Sequence, residues 1–401
     1  MRIKLISIYK AMFFFLGINA GLVYLFFQSA PAISNLLVLF INFSFFALSL
    51  VFFLSNIDTN KLIDSSNSKF IKLSSPLIMF VLWQAITIYW SPVSREVVWG
   101  YYIISFCQFW AVFIFLLCSQ EIINIHLKVI SSYVFAVLVL IIYLLLNNEF
   151  AGPRLGSEEF LHPNTIGNLA SISIILLLGL QIYGKEYVFS KKVQLFVLLI
   201  LVSGLILSFS KTSIVALFCS FFVVTLIGAQ VNFKKKIFLM MIGSIVLLIM
   251  FLILKDALYE YVNNAGNGEA LSTYSGRTVI WLETIEMIMK RPVLGYGFMS
   301  FREIGPQVIS LRLVHPHNEL LNILFLYGGI GLLFYISSLI LLFAHLFSKN
   351  QKGNVFSTLI LMIFIYSLIK GGFEANVTSI IMPLPLVLFL LNQSCLKVRS
   401  K

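Results

Sequence analysis

Long apolar stretches fill the chain, and polar positions are confined to the gaps between them. Twelve stretches reach or approach membrane-spanning length: 11–27, 33–54, 71–90, 97–118, 127–147, 164–183, 193–208, 212–229, 237–254, 318–347, 355–370 and 375–393. A run of about 18 or more apolar residues predicts a transmembrane helix, since lipid offers no partner for a backbone that does not satisfy itself. The pattern predicts an all-α integral membrane protein of about twelve transmembrane helices, with residues 1–401 forming one polytopic domain. The first run follows Arg2, Lys4 and Lys10, but no small-residue cleavage site precedes the second, so an uncleaved first helix is expected.

Composition agrees: 60% of the residues are hydrophobic and 11% charged, against about 25% charged in a soluble domain. The net charge of +12 does not imply nucleic acid, because orientation accounts for it. With a cytoplasmic N-terminus, 18 of the 28 Lys and Arg residues fall on the inside. Six of the other ten sit in one long loop, a kind the positive-inside rule does not count. Both termini are then expected in the cytoplasm. Cys107, Cys118, Cys219 and Cys395 lie in or beside apolar runs, with no metal-ligand spacing.

On this topology the polar residues that could carry chemistry gather on the outer side, in a loop at 148–163, a tight turn at 208–212 and a long loop at 255–317. Within the long loop, 275–290 has helical periodicity and ends at Arg291-Pro292. Glu283, Glu286 and Lys290 share one stripe, while Trp281, Ile285, Ile288 and Met289 face away, as in an amphipathic helix lying in the membrane interface. Arg277 projects away from that acidic stripe, placed to meet an anion. His315, His317, Asn318, Glu319 and Asn322 then crowd the mouth of the next apolar run. From Asn318 to Phe347 an unbroken helix would be about 45 Å long, more than the hydrocarbon core, so it must tilt, protrude or break at Gly328-Gly329.

These residues carry a resemblance. His317-Asn318 with Gly328 and Gly331 is similar to the signature of the O-antigen ligase and polymerase family. Arg154-Leu155-Gly156 with His162-Pro163-Asn164, Ser210-Lys211, and Ser275-Gly276-Arg277 with Trp281, Pro292 and Gly295-Tyr296-Gly297 resemble that family in the same order. The likeness covers about residues 150–335. Family members usually carry Arg where this chain has Lys211, which keeps the charge but not the bidentate fork.

The resemblance implies an enzyme of the bacterial inner membrane, working at its periplasmic face with a C-type membrane glycosyltransferase fold. Such an enzyme moves a glycan from undecaprenyl pyrophosphate to an acceptor hydroxyl. The acceptor is another lipid-linked repeat unit in a polymerase and lipid A–core in a ligase; polymerase is the first reading here. Membrane lipids surround it, and a polysaccharide chain-length regulator is a further conceivable partner. His317 is the expected general base, and Arg154, Arg277 and Lys211 the cations that hold the departing pyrophosphate. Asn164, Asn318, Asn322 and His315 are expected to contact pyrophosphate or glycan. No Asp-x-Asp pair occurs, so inverting transfer without metal or cofactor is expected.

Blander roles stand beside these. His162 could simply begin a helix, Glu319 and Glu374 could be hydrogen-bonding partners, and Trp99, Tyr101 and Tyr102 an interfacial belt. His126 and His345 are expected on or near the cytoplasmic side. A flippase-type transporter remains the alternative from another class, although its charges would sit near the midplane.

Overall fold

The computed structural model describes residues 2–27, 31–56, 65–118, 125–157, 161–227, 234, 237–238, 241, 277–308, 315–351, 353–375 and 381–396. They form helices α1 (Arg2–Phe27), α2 (Pro31–Asn56), α3 (Ser65–Thr87), α4 (Arg95–Cys118), α5 (Ile125–Leu146), α6 (Pro163–Gly179), α7 (Lys191–Leu207) and α8 (Lys211–Ile227). The second half contributes α9 (Arg277–Lys290), α10 (Phe301–Val308), α11 (Glu319–Gln351), α12 (Val355–Gly371) and α13 (Leu384–Cys395). Among the described residues six helices are long and apolar enough to cross a membrane, and four shorter apolar helices join them. The chain is a multi-pass, all-helical membrane protein. Most of the predicted run 237–254 and much of the loop 255–317 lie outside the described residues.

Where each helix lies follows from its apolar residues. α12 and α13 are buried on nearly every side, from Ser357 to Phe364 and from Leu386 to Leu391. A helix apolar all round belongs inside a bundle, and α13 packs against α3, α4 and α12. α2 and α7 instead expose whole apolar faces, with Leu36, Phe40 and Leu54 on one and Leu195, Phe196 and Leu199 on the other. Such faces suit lipid rather than water. α1 approaches α5 closely through Gly17 and Gly21, four residues apart: a Cβ on Gly17 would lie 2.7 Å from the Tyr133 carbonyl oxygen. Small residues at that spacing let two helices pack backbone to backbone in a membrane.

Some expectations are corrected. Among the described residues of the run 375–393, the helix begins at Leu384, after Pro383 and with Pro385 in its first turn. Tyr102 is no interfacial belt residue: it is buried, donates to the Val81 carbonyl at 3.0 Å and packs edge-on against Phe298. α9 is not a simple two-faced interfacial helix. Ile280, Thr284, Met287 and Ile288 pack inward, so Ile288 is not on the outer apolar face; Leu282, Ile285 and Met289 stay exposed.

The long helix does break. Gly328 leaves helical geometry at φ 63° and ψ −169° inside α11, and the freed backbone groups find partners in one returning loop and in Trp83 of α3. The Phe325 and Leu326 carbonyls accept from the Tyr296 and Gly297 amides, both at 2.8 Å. The Gly329 amide donates to the Pro292 carbonyl at 2.8 Å, and the indole of Trp83 donates to the Tyr327 carbonyl at 2.9 Å. Each group would cost several kcal/mol if stranded in hydrocarbon. The Pro292–Gly297 loop is thus pinned against the break, and α9 before it against α11.

Candidate functional site

The site assembles where α6, α8 and α11 begin and α12 ends. Arg154 reaches it on a hairpin: Phe150–Ala151 pairs antiparallel with Arg154–Leu155. Gly152, at φ 60°, takes the position where a two-residue hairpin loop favours glycine. The guanidinium donates through Nη2 to Asn164 Oδ1 at 2.7 Å and through Nε to the Ser208 carbonyl at 3.2 Å. Asn164 is held in turn by the start of α6. His162 caps that helix, its Nδ1 accepting from the Asn164 amide at 3.2 Å, and Pro163 follows where no amide hydrogen is needed.

The turn between α7 and α8 brings Ser208, Ser210 and Ser213 inside, with Ser210 Oγ and Ser213 Oγ 2.7 Å apart. Lys211 opens α8 at this point, but its side chain is exposed while its serine neighbours are buried. The next residue, Thr212, donates to Glu374 Oε1 at 2.9 Å.

From the other side come the residues before α11. Asn318 caps α11: its Oδ1 accepts from the Leu321 amide at 3.1 Å, and its Nδ2 donates to the Gly372 carbonyl at 3.1 Å. Asn322 follows one turn later, buried, its amide donating to the Asn318 carbonyl at 2.9 Å. Glu319 is buried and accepts from Tyr335 Oη at 3.2 Å and the Ile381 amide at 3.1 Å, the bonding role expected of it. Trp281 of α9 ties this segment down by donating to the Pro316 carbonyl at 3.0 Å.

His315 and His317 lie edge to face, ring centres 4.4 Å apart, and the His317 amide donates to His315 Nδ1 at 3.4 Å. His317 holds a left-handed backbone, φ 52°, a strained conformation that tends to be kept where function demands it. Burial first, then the charges of His315, Arg277 and His162, push the His317 imidazole down to about 3. His315 is lowered to about 4, by burial first; Glu374 opposes the shift, and His162 and Arg277 add to it. These couplings place Glu374, His162 and Arg277 within electrostatic reach of His315, and His162 and Arg277 within reach of His317. Both imidazoles are neutral near pH 7.

Sequence reasoning missed Lys370. It is buried at the end of α12, paired with Glu374 at 2.6 Å and donating to Ser213 Oγ at 2.7 Å. A Lys and a Glu four residues apart at the end of an apolar run were the available signal. At the opposite end of the bundle, His126 contacts Glu186 at 2.8 Å and His345 lies 3.3 Å from Ser394 Oγ, away from the cluster as expected.

Among curated proteins none matches the chain. Residues 196–336 match the family model described as O-antigen ligase, a span that includes Lys211, Arg277, His317, Asn318, Gly328 and Gly331. Over residues 196–336 the chain is therefore similar to the O-antigen ligase family.

Proposed function

We propose that the chain moves a glycan from undecaprenyl pyrophosphate to a sugar hydroxyl at the periplasmic face of the bacterial inner membrane. One observation carries this reading: two buried, neutral histidines are coupled electrostatically to Arg277 and to His162, and His162 caps the helix whose Asn164 takes the Arg154 guanidinium. His317 takes the proton of the acceptor hydroxyl, and the acceptor oxygen attacks the anomeric carbon. The bond from that carbon to pyrophosphate breaks, and the electron pair leaves with the lipid pyrophosphate. Arg154, Arg277 and Lys211 hold that charge, in place of a metal ion. Asn164, Asn318, Asn322 and His315 shape the pocket for pyrophosphate and glycan. Displacement by a base-activated acceptor inverts the anomeric carbon.

Extension of a lipid-linked repeat unit is the first reading of the acceptor, since the sequence of the outer loops shows no segment dedicated to a phosphorylated lipid A–core. The description of the matched family favours ligation as the second. A deletion strain separates them. Polymerase loss leaves the core bearing a single repeat; ligase loss leaves it bare, with polymer retained on the carrier lipid.

The histidine environment fixes the pH dependence. The quantity kcat/KM reports groups of the free enzyme and kcat those of the donor complex. With His317 near 3 when free, kcat/KM should hold close to its plateau down to about pH 5. Bound pyrophosphate favours the protonated imidazole, so the acid limb of kcat should lie at higher pH. Rate profiles in detergent test this; a kcat/KM limb at the ordinary histidine value of 6.5 contradicts it.

A further inference from the structure

Lys370 lies outside every motif the sequence displays and outside the matched family segment, yet it is only 2% exposed. A buried ammonium is costly unless it is paired and hydrogen-bonded. Here its Nζ meets three acceptors: Glu374 Oε2 at 2.6 Å, Ser213 Oγ at 2.7 Å and the Asn164 carbonyl oxygen at 3.4 Å. An ammonium has three hydrogens, so these acceptors use them all.

Each acceptor belongs to a different part of the site. Asn164 takes the Arg154 guanidinium on its side-chain oxygen. Ser213 is bonded to Ser210 in the turn before α8. Glu374 takes the Thr212 hydroxyl on its other oxygen. One side chain of α12 therefore joins the arm that carries Arg154 to the start of α8. An apolar residue of similar volume would fill this place at lower cost, so packing alone does not account for a lysine here.

We propose that Lys370 is a positioning residue for the pyrophosphate end of the donor. It fixes the spacing between the Arg154–Asn164 arm and the α8 N-terminus without touching the reacting atoms. The inference rests on the transfer reading above and adds to it a residue that sets donor affinity.

Lys370→Met alone would strand the Glu374 carboxylate and could simply unfold the protein, so the decisive variant is Lys370→Met with Glu374→Gln, which leaves no unpaired charge. Transfer from purified undecaprenyl-pyrophosphate-linked oligosaccharide is measured in detergent. The double variant should raise the donor KM about tenfold or more with kcat changed by less than about threefold, the pattern of lost ground-state binding. Ser213→Ala, which removes one of the three bonds and leaves the pair intact, should raise KM about threefold. In the Lys370→Met, Glu374→Gln background Ser213→Ala should add nothing, because the two act through one contact. A purely structural role would lower the amount of active enzyme at constant KM. Wild-type KM in the double variant overturns the proposal; if that variant does not insert, wild-type KM in Ser213→Ala does so. Absence of transfer by the wild-type protein would sink the transfer reading instead, whatever Lys370 does.

Discussion

His317→Asn should lower transfer about a thousandfold while the protein inserts and unfolds as the wild type does. A positioned general base contributes between about a hundredfold and ten-thousandfold, and asparagine cannot replace it at any pH. The choice of asparagine follows from the backbone. His317 sits at φ 52°, a region asparagine enters more readily than other residues. His317→Ala should lose transfer to the same extent and, in addition, about 1 kcal/mol of stability from placing an alanine there. His315→Ala should cost much less, about tenfold, since it removes a ring that lines the pocket and accepts from the His317 amide but takes no proton from the acceptor. The measurement is initial rate per mole of folded protein, with and without a chelator. Equal rates for His317→Asn and wild type would remove the base from the mechanism and return the cluster to a structural role.

How this site came to be partly legible has a physical reason. The helices could be read because lipid forces any spanning segment to be apolar and helical, and α1 to α8, α11 and α12 stand where apolar runs stand. The break in α11 was legible as one of three options from length and a Gly-Gly pair. What fills the break was not: Tyr296 and Gly297 pair with Phe325 and Leu326 through backbone atoms, and a backbone bond leaves no mark in side-chain identity. The hairpin that carries Arg154 shows in the sequence only as a polar loop with Gly152-Pro153 as its turn signal. Asn164 was chosen for its place in a motif; its bond to Arg154 needed coordinates.

Charge was the weaker guide. Lys211 was chosen as a cation by its place in a motif, and its side chain is exposed. Lys370 stands in the sequence as one basic residue at the end of an apolar run, yet it is buried among Ser213, Glu374 and the Asn164 carbonyl. A count of charges per loop sorts sides of a membrane. It cannot tell a charge that faces water from one that holds three elements together.

The motif glycine should be the most sensitive backbone position in the half of the molecule that carries the histidines. Gly328→Ala is expected to destabilise the protein by more than about 3 kcal/mol and to abolish transfer, for two separate reasons. Its backbone, at φ 63° and ψ −169°, occupies a region essentially closed to residues with a Cβ. A Cβ there would also lie 2.2 Å from the Val293 carbonyl oxygen, so the loop could not stay. Moving that loop strands the Phe325 and Leu326 carbonyls and the Gly329 amide together, and it unseats α9, on which Arg277 is carried. Gly329→Ala is the control: its backbone needs no positive φ, and its Cβ would meet only the Pro292 carbonyl oxygen at 3.3 Å. A shift of a few tenths of an ångström relieves that contact, so Gly329→Ala should insert and transfer at close to the wild-type rate. Thermal unfolding in detergent, read beside donor transfer, compares the two. Similar behaviour of both variants would mean that the loop and the broken helix are not interlocked, and that something else carries Arg277 to the histidines.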